Sequence, residues 1–216
     1  MKVEIWSDIA CPWCYVGKRR FERALEQFEH RDDVDVVWRS FELDPSAPRH
    51  AGMPQDELLA TKYGMPIERA REMNARMTAE AAKEGLDFHT DRVQVGNTFD
   101  AHRLVHLAAE SGKADAMKER LMRAYFTEGE SVADPATLRR LAAEAGLDDA
   151  RVRDVIGGDQ FAADVRADES RARSFGISGV PFFAIDERYG VSGAQTPEVL
   201  LEALRQARAE VPAQDG

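Results

Sequence analysis

Only two cysteines occur in the 216 residues of this chain, and they stand together as Cys11-Pro12-Trp13-Cys14, where a short strand gives way to a helix. Residues 2–8 read as the strand, with Val3 and Ile5 apolar. From Cys14 the apolar positions recur at helical spacing through Phe21, Ala24, Leu25 and Phe28, and Gly17 shares their face. The first cysteine therefore stands at a helix N-terminus, where free backbone N–H groups and the helix dipole favour a thiolate. Pro12 fits the first helical turn, because its missing N–H would have had no partner there. A thiolate beside a second thiol in the same turn is the minimum equipment for disulfide exchange.

Bulk composition narrows the remaining choices. A net charge of −10 argues against nucleic acid as a partner, since phosphate binding needs a basic face. No apolar run reaches the length of a membrane span. The sequence opens directly on a strand with no targeting pattern, so a soluble cytoplasmic protein is expected. Two cysteines do not make a disulfide framework, and a reducing compartment argues against a structural bridge. A closed zinc site would need two more ligands from scattered histidines, so no metal is expected. A CxxC near a β-α-β pattern in a cytosolic chain reads as thioredoxin-like redox chemistry.

The second strand is expected over residues 34–41, followed by the breaker Asp44-Pro45-Ser46-Ala47-Pro48. Residues 55–157 read as helical almost throughout. One helix opens at Pro66 and runs to about Lys83 with Gly85 beyond it. Another is capped by Asn97, and Met117, Leu121 and Tyr125 follow at spacing four. Asp134-Pro135 is a helix start and Gly146 its stop; Val152, Val155 and Ile156 form a short last element. A helix over 161–175, strands over 181–185 and 189–192, and a final helix after Thr196-Pro197-Glu198 complete the order. Residues 211–216 are expected to fray. This order predicts an α/β thioredoxin-type sheet, built from residues 1–45 and 160–216, with an all-helical domain inserted over 46–159.

A thioredoxin-like sheet makes one demand far from the cysteines: a proline opening the strand after the long helix, with the peptide bond before it cis. Gly179-Val180-Pro181 supplies that proline directly before Phe182 to Ile185. Such a turn brings the Val180 backbone to the sulfurs, where it can pair with an extended substrate segment.

The chain resembles the DsbA family of thioredoxin-fold proteins, and within it the FrnE-like branch. The matching residues are Ser7 to Gly17, Asn97-Thr98 with Ala101-His102, Gly179-Val180-Pro181, and Gly193-Ala194-Gln195. The resemblance implies thiol–disulfide exchange through Cys11 and Cys14 on disulfide-containing proteins or small thiols. It implies no bound cofactor beyond the cysteine pair, with a low-molecular-weight thiol as a possible co-substrate. The superfamily also holds 2-hydroxychromene-2-carboxylate isomerases and kappa-class glutathione transferases, which carry serine at the first cysteine position and use glutathione.

In this reading Cys11 attacks and Cys14 resolves the mixed disulfide. Pro12, Trp13, Val180, Pro181, Asn97 and His102 are the candidate substrate-contacting residues. Strongly oxidising relatives have histidine where Trp13 stands; an indole offers no cationic ring, so a less stabilised thiolate and a weak oxidant, acting as reductase or isomerase, are expected. Asp8 is either a proton relay for Cys14 or a turn cap. His102 and His106 have the spacing of helical metal ligands but lack a third, and read as a wall residue and a solvated neighbour. Two alternatives remain open: a thiol-dependent isomerase or transferase of a small aromatic molecule, and a non-catalytic binding module.

Overall fold

The structure is a computed structural model, described here over residues 1–50 and 52–210; the fraying expected at 211–216 lies outside the described residues. Four strands form one sheet: β1 (Lys2–Ser7), β2 (Asp35–Ser40), β3 (Phe182–Ile185) and β4 (Tyr189–Ser192), in the order β2-β1-β3-β4. β1 pairs parallel with β2 and antiparallel with β3, and β3 pairs antiparallel with β4. Helix α1 (Pro12–Glu26) supplies the crossover that a parallel β1–β2 pair requires.

β1 is central and buried on both faces. Val3 and Ile5 join a core shared with Phe21 of α1, Phe183 of β3 and Leu200 and Leu204 of the last helix, α9 (Pro197–Ala209). Trp6 points the other way, onto Ala172 of α8 (Ala162–Ser174), with its indole N–H donating to the Asp168 carbonyl at 3.0 Å. Glu4 shares that face; it is fully buried and held by Arg39 and Arg171.

Between β2 and α8 the chain is helical: α2 (Gln55–Tyr63), α3 (Ile67–Lys83), α4 (Phe99–Ala109), α5 (Ala114–Arg123), α6 (Pro135–Glu144) and α7 (Asp149–Gly157). The start at Asp134-Pro135 works as its residues predict, the Asp134 carboxylate accepting the Thr137 N–H at 2.7 Å. The helical residues Leu104, Leu121, Leu138 and Val152 belong to the same apolar cluster as Val3 and Ile5, so the inserted helices and the sheet share one core.

Three local features depart from the sequence reading. Asn97 caps α4 from one residue further out: the N-cap position is Thr98, and the Asn97 side chain accepts the Phe99 N–H at 2.8 Å. After α5 the chain widens into a π-helical turn over Ala124–Glu128. Within this wider turn the consecutive residues Ala124, Tyr125 and Phe126 are all buried. The segment between α3 and α4 also buries Leu86, Phe88 and Val93 without regular structure, Phe88 stacking on Phe126 with ring centres 4.5 Å apart. No helix among the described residues is long and apolar enough to cross a membrane.

Candidate functional site

Where β1 ends, Asp8, Ile9 and Ala10 turn the chain so that Cys11 occupies the N-cap of α1 with Pro12 at the first helical position. The Cys14 N–H donates to the Cys11 carbonyl at 3.0 Å, which closes the turn holding the two thiols. Both are free thiols and both are buried, Cys11 4 % and Cys14 1 % exposed. The Val180–Pro181 peptide bond is cis, and the Cys11 thiol lies 3.6 Å from the Val180 carbonyl oxygen, which accepts its proton. Gly17, one turn along α1, lets Pro181 pack against the helix backbone.

The pair opens on a cavity of about 620 Å³ lined by Cys11, Pro12, Trp13, Gly179 and Val180 on one side. Leu43, Leu58, Leu59, Met77, Val95 and Tyr125 face them from the chain between β2 and α8, with Lys62 and Arg76 as its cations. Cys11 borders this space and Cys14 does not. Trp13 is 44 % exposed, and Leu43, Met53, Tyr63 and Met73 are also exposed large apolar side chains; all but Met53 line the cavity itself. Among the candidate substrate-contacting residues, Pro12, Trp13 and Val180 line the cavity. Pro181 supports Val180 from behind, and neither Asn97 nor His102 reaches the cavity wall.

His102 is instead buried against Asp8, with Nε2 and Oδ1 3.2 Å apart. The second Asp8 oxygen accepts the Leu43 N–H at 2.8 Å. Burial alone would raise Asp8, but hydrogen bonds from His102, Leu43 and Thr98 outweigh it and hold the carboxyl below the usual carboxylate range. Burial keeps the His102 imidazole below its ordinary value despite Asp8. Asp8 is thus more than a turn cap, and His102 is no open wall residue. His106 is not solvated as expected: its Nε2 lies 3.0 Å from Ser40 Oγ and 3.2 Å from Asp168 Oδ2. The two histidines have separate partners and share no ion site.

The Cys11 thiol departs from the expectation of a lowered pKa. The Cys14 sulfur beside it, burial, and the nearby charge of Cys14 and Asp8 push it well above its ordinary value. An anion on one sulfur opposes a second anion three residues away, so the two thiols do not ionise together.

Sequence reasoning missed Lys118, a fully buried lysine on α5 that donates from Nζ to the Ser7 carbonyl at 2.9 Å, directly before Asp8. A signal was available, since Lys118 precedes Leu121 and Met122 by three and four positions on the apolar side of its helix. Asn97 donates to the buried Glu42 carboxylate at 3.4 Å, while Arg166 pairs with both Glu42 and Glu169.

Comparison with known proteins agrees with this geometry. A family model described as a DSBA-like thioredoxin domain matches residues 2–205. A probable DsbA oxidoreductase from Streptomyces coelicolor is 50 % identical, with 97 % of this chain and 91 % of that one covered and a TM-score of 0.93. The uncharacterised protein YwbO of Bacillus subtilis is 28 % identical over 94 % of each chain. The cytosolic disulfide reductase DsbM of Pseudomonas aeruginosa, solved with glutathione, shares the fold at 21 % identity and a TM-score of 0.63, with 97 % of this chain and all of that one covered. The chain belongs to the DSBA-like thioredoxin family, as an oxidoreductase whose thiol–disulfide exchange pair is Cys11 and Cys14.

Proposed function

We propose that this oxidoreductase works in the reducing direction, as a disulfide reductase or isomerase of the FrnE-like branch, with Cys11 attacking and Cys14 resolving. The observation that carries the direction is the setting of the Cys11 thiol, which is buried, donates to the Val180 carbonyl, and has Trp13 two residues on where a cation could have stood. A strong oxidant of this fold holds its reduced form as a stabilised thiolate, which makes its disulfide eager to accept electrons. Here the thiolate has a carboxylate for a neighbour and Trp13 in place of a cationic ring, so the disulfide is a weaker oxidant. Cys11 alone of the two sulfurs borders the cavity, which supports its role as the attacking thiol. Val180, Pro12 and Trp13 form the substrate wall, and Pro181 holds Val180 in place.

A reductase needs a compartment that returns its pair to the dithiol, so we assign it to the cytoplasm. The likeness to a cytosolic disulfide reductase solved with glutathione supports a small thiol as co-substrate. The deciding experiment is titration of the purified protein in glutathione buffers, followed by tryptophan fluorescence. A two-electron midpoint between about −180 and −270 mV is expected; one near −120 mV, the value of the strong oxidants, overturns the direction.

The apolar lining of the cavity favours a second reading, a glutathione-dependent isomerisation of a small aromatic molecule at Cys11. That reaction leaves Cys14 dispensable. Full activity on such a substrate in Cys14→Ser would establish it.

A further inference from the structure

Lys118 is a buried amine with no carboxylate paired to it among the described residues. Its side chain is 1 % exposed. Nζ donates to the Ser7 carbonyl at 2.9 Å and lies 5.7 Å from the centre of the Trp38 ring. No carboxylate among the described residues comes within 4.0 Å of it, whereas the equally buried Lys18 has Glu22, Asp115 and Glu119 around its ammonium. A buried ammonium with one neutral acceptor is costly, and structures retain such groups where an anion completes them.

The groups that face this ammonium identify the anion. They are Cys14 and Cys11 at the start of α1, Asp8 in the preceding turn, Asp168 on α8 and the His102 imidazole on α4. Asp8 is already committed to His102 and the Leu43 N–H, and Asp168 to Arg39, the Ser40 N–H and His106. Cys11 already donates to the Val180 carbonyl, which leaves the buried Cys14 sulfur as the partner without a commitment, and its charge would favour the Lys118 ammonium. Burial brings the lysine down to about 8 against that pull, so it is charged at neutral pH and close enough to neutrality to respond to a change at the sulfur.

We propose that Lys118, delivered by the inserted helices, is the counter-charge for the sulfur anion that forms at Cys14 when the mixed disulfide is resolved. This rests on the exchange role of the cysteine pair. In that step the Cys14 S–H bond breaks and Cys14 Sγ attacks Cys11 Sγ. The Cys11–Cys14 bond forms as the bond from Cys11 to the substrate sulfur breaks, and the Cys14 proton ends on the departing thiol. The substrate disulfide gains two electrons and the cysteine pair loses them. Lys118 touches no bond that changes; it is a positioning residue that lowers the cost of the transient anion in a site sealed from water by bound substrate.

An aromatic disulfide whose released thiolate is coloured separates the two steps. Attack by Cys11 releases one thiolate in a bimolecular phase, and resolution by Cys14 releases the second in a unimolecular phase. In Lys118→Met the first phase should stay within about threefold of wild type. The second should slow by about tenfold or more at pH 7, its pH profile moving to higher pH. An unchanged second phase, in rate and in pH profile, overturns the proposal. Loss of the first phase in the wild-type protein would instead count against the exchange chemistry itself. Should Lys118→Met fail to fold, Cys14→Ser with carbon-13-labelled lysine gives an independent readout. Removing the sulfur should lower the Lys118 titration midpoint, and an unmoved midpoint overturns the proposal equally.

Discussion

A Cβ placed on Gly17 would meet Pro181 Cγ at 2.8 Å, so α1 and the Val180–Pro181 turn touch with no room for a methyl group. The atom in the way belongs to a ring that cannot swing aside. Gly17→Ala must therefore push the turn off the helix, moving the Val180 carbonyl from Cys11. Overpacking of this kind costs about 1–3 kcal/mol. We expect a lowered denaturation midpoint together with slower thiol–disulfide exchange, and a variant matching wild type in both would show that the turn adapts.

The two cysteines should fail differently. Cys11→Ser removes the sulfur that borders the cavity and should abolish exchange. Cys14→Ser keeps the attacking thiol but cannot resolve, so it should accumulate a mixed disulfide with substrate. Mass spectrometry of each variant after incubation with a disulfide distinguishes the two; an adduct on the Cys11→Ser protein would reverse the assigned roles.

Arg103 ties α4 to the segment that ends α7. It is buried, donating to the Gln160 carbonyl at 2.8 Å and the Gly158 carbonyl at 2.7 Å, with further bonds to the Val155 carbonyl and Asp100. Arg103→Leu leaves those carbonyls without their donor and should cost about 3 kcal/mol, read as a shift in urea midpoint with the slope unchanged. Lys at this position should recover only part of the loss, because one ammonium cannot reproduce the guanidinium fork.

Glu42 gives the stability a pH dependence. Burial raises its carboxyl from near 4.5 to about 7, with Arg166 opposing the rise and Glu169 adding to it. Between those values the folded state binds a proton that the unfolded chain has lost. This contribution is fully present below about pH 4.5 and disappears as the pH rises through 7. Gln at position 42 has no proton to lose, so the stability of Glu42→Gln relative to wild type should improve by roughly 2 kcal/mol between pH 5 and pH 8. Urea unfolding at the two pH values measures it, and a constant difference would mean the carboxyl is ionised throughout.

The parts of this protein written in short stretches of sequence were legible. Cys11 to Cys14 after an apolar strand fixes the strand–helix junction, Asp134-Pro135 starts a helix by local chemistry, and Pro181 before Phe182 marks the turn facing the cysteines. What escaped depends on residues brought together across the chain. Asp8 and His102 are 94 positions apart, and Lys118 stands 111 positions from the carbonyl it bonds. Helical spacing put Tyr125 in register with Leu121, yet the π turn that carries it to the cavity answers to packing, Phe126 against Phe88, and has no local signature. The lowered thiol expected from the helix N-terminus failed for a local reason instead: Asp8 and the second sulfur were in view in the sequence, but their burial with Cys11 was not.

The separation of 169 positions between Cys11 and Val180 also sets an order of synthesis. At about 5–20 residues per second, a ribosome makes both thiols roughly 10–30 s before the backbone that will cover them. During that interval the pair has no guard from its own fold. The same chain, however, holds no third cysteine, so the waiting thiols have no wrong partner within it. The scarcity of cysteine thereby protects the nascent enzyme from cross-linking itself before its last strands exist.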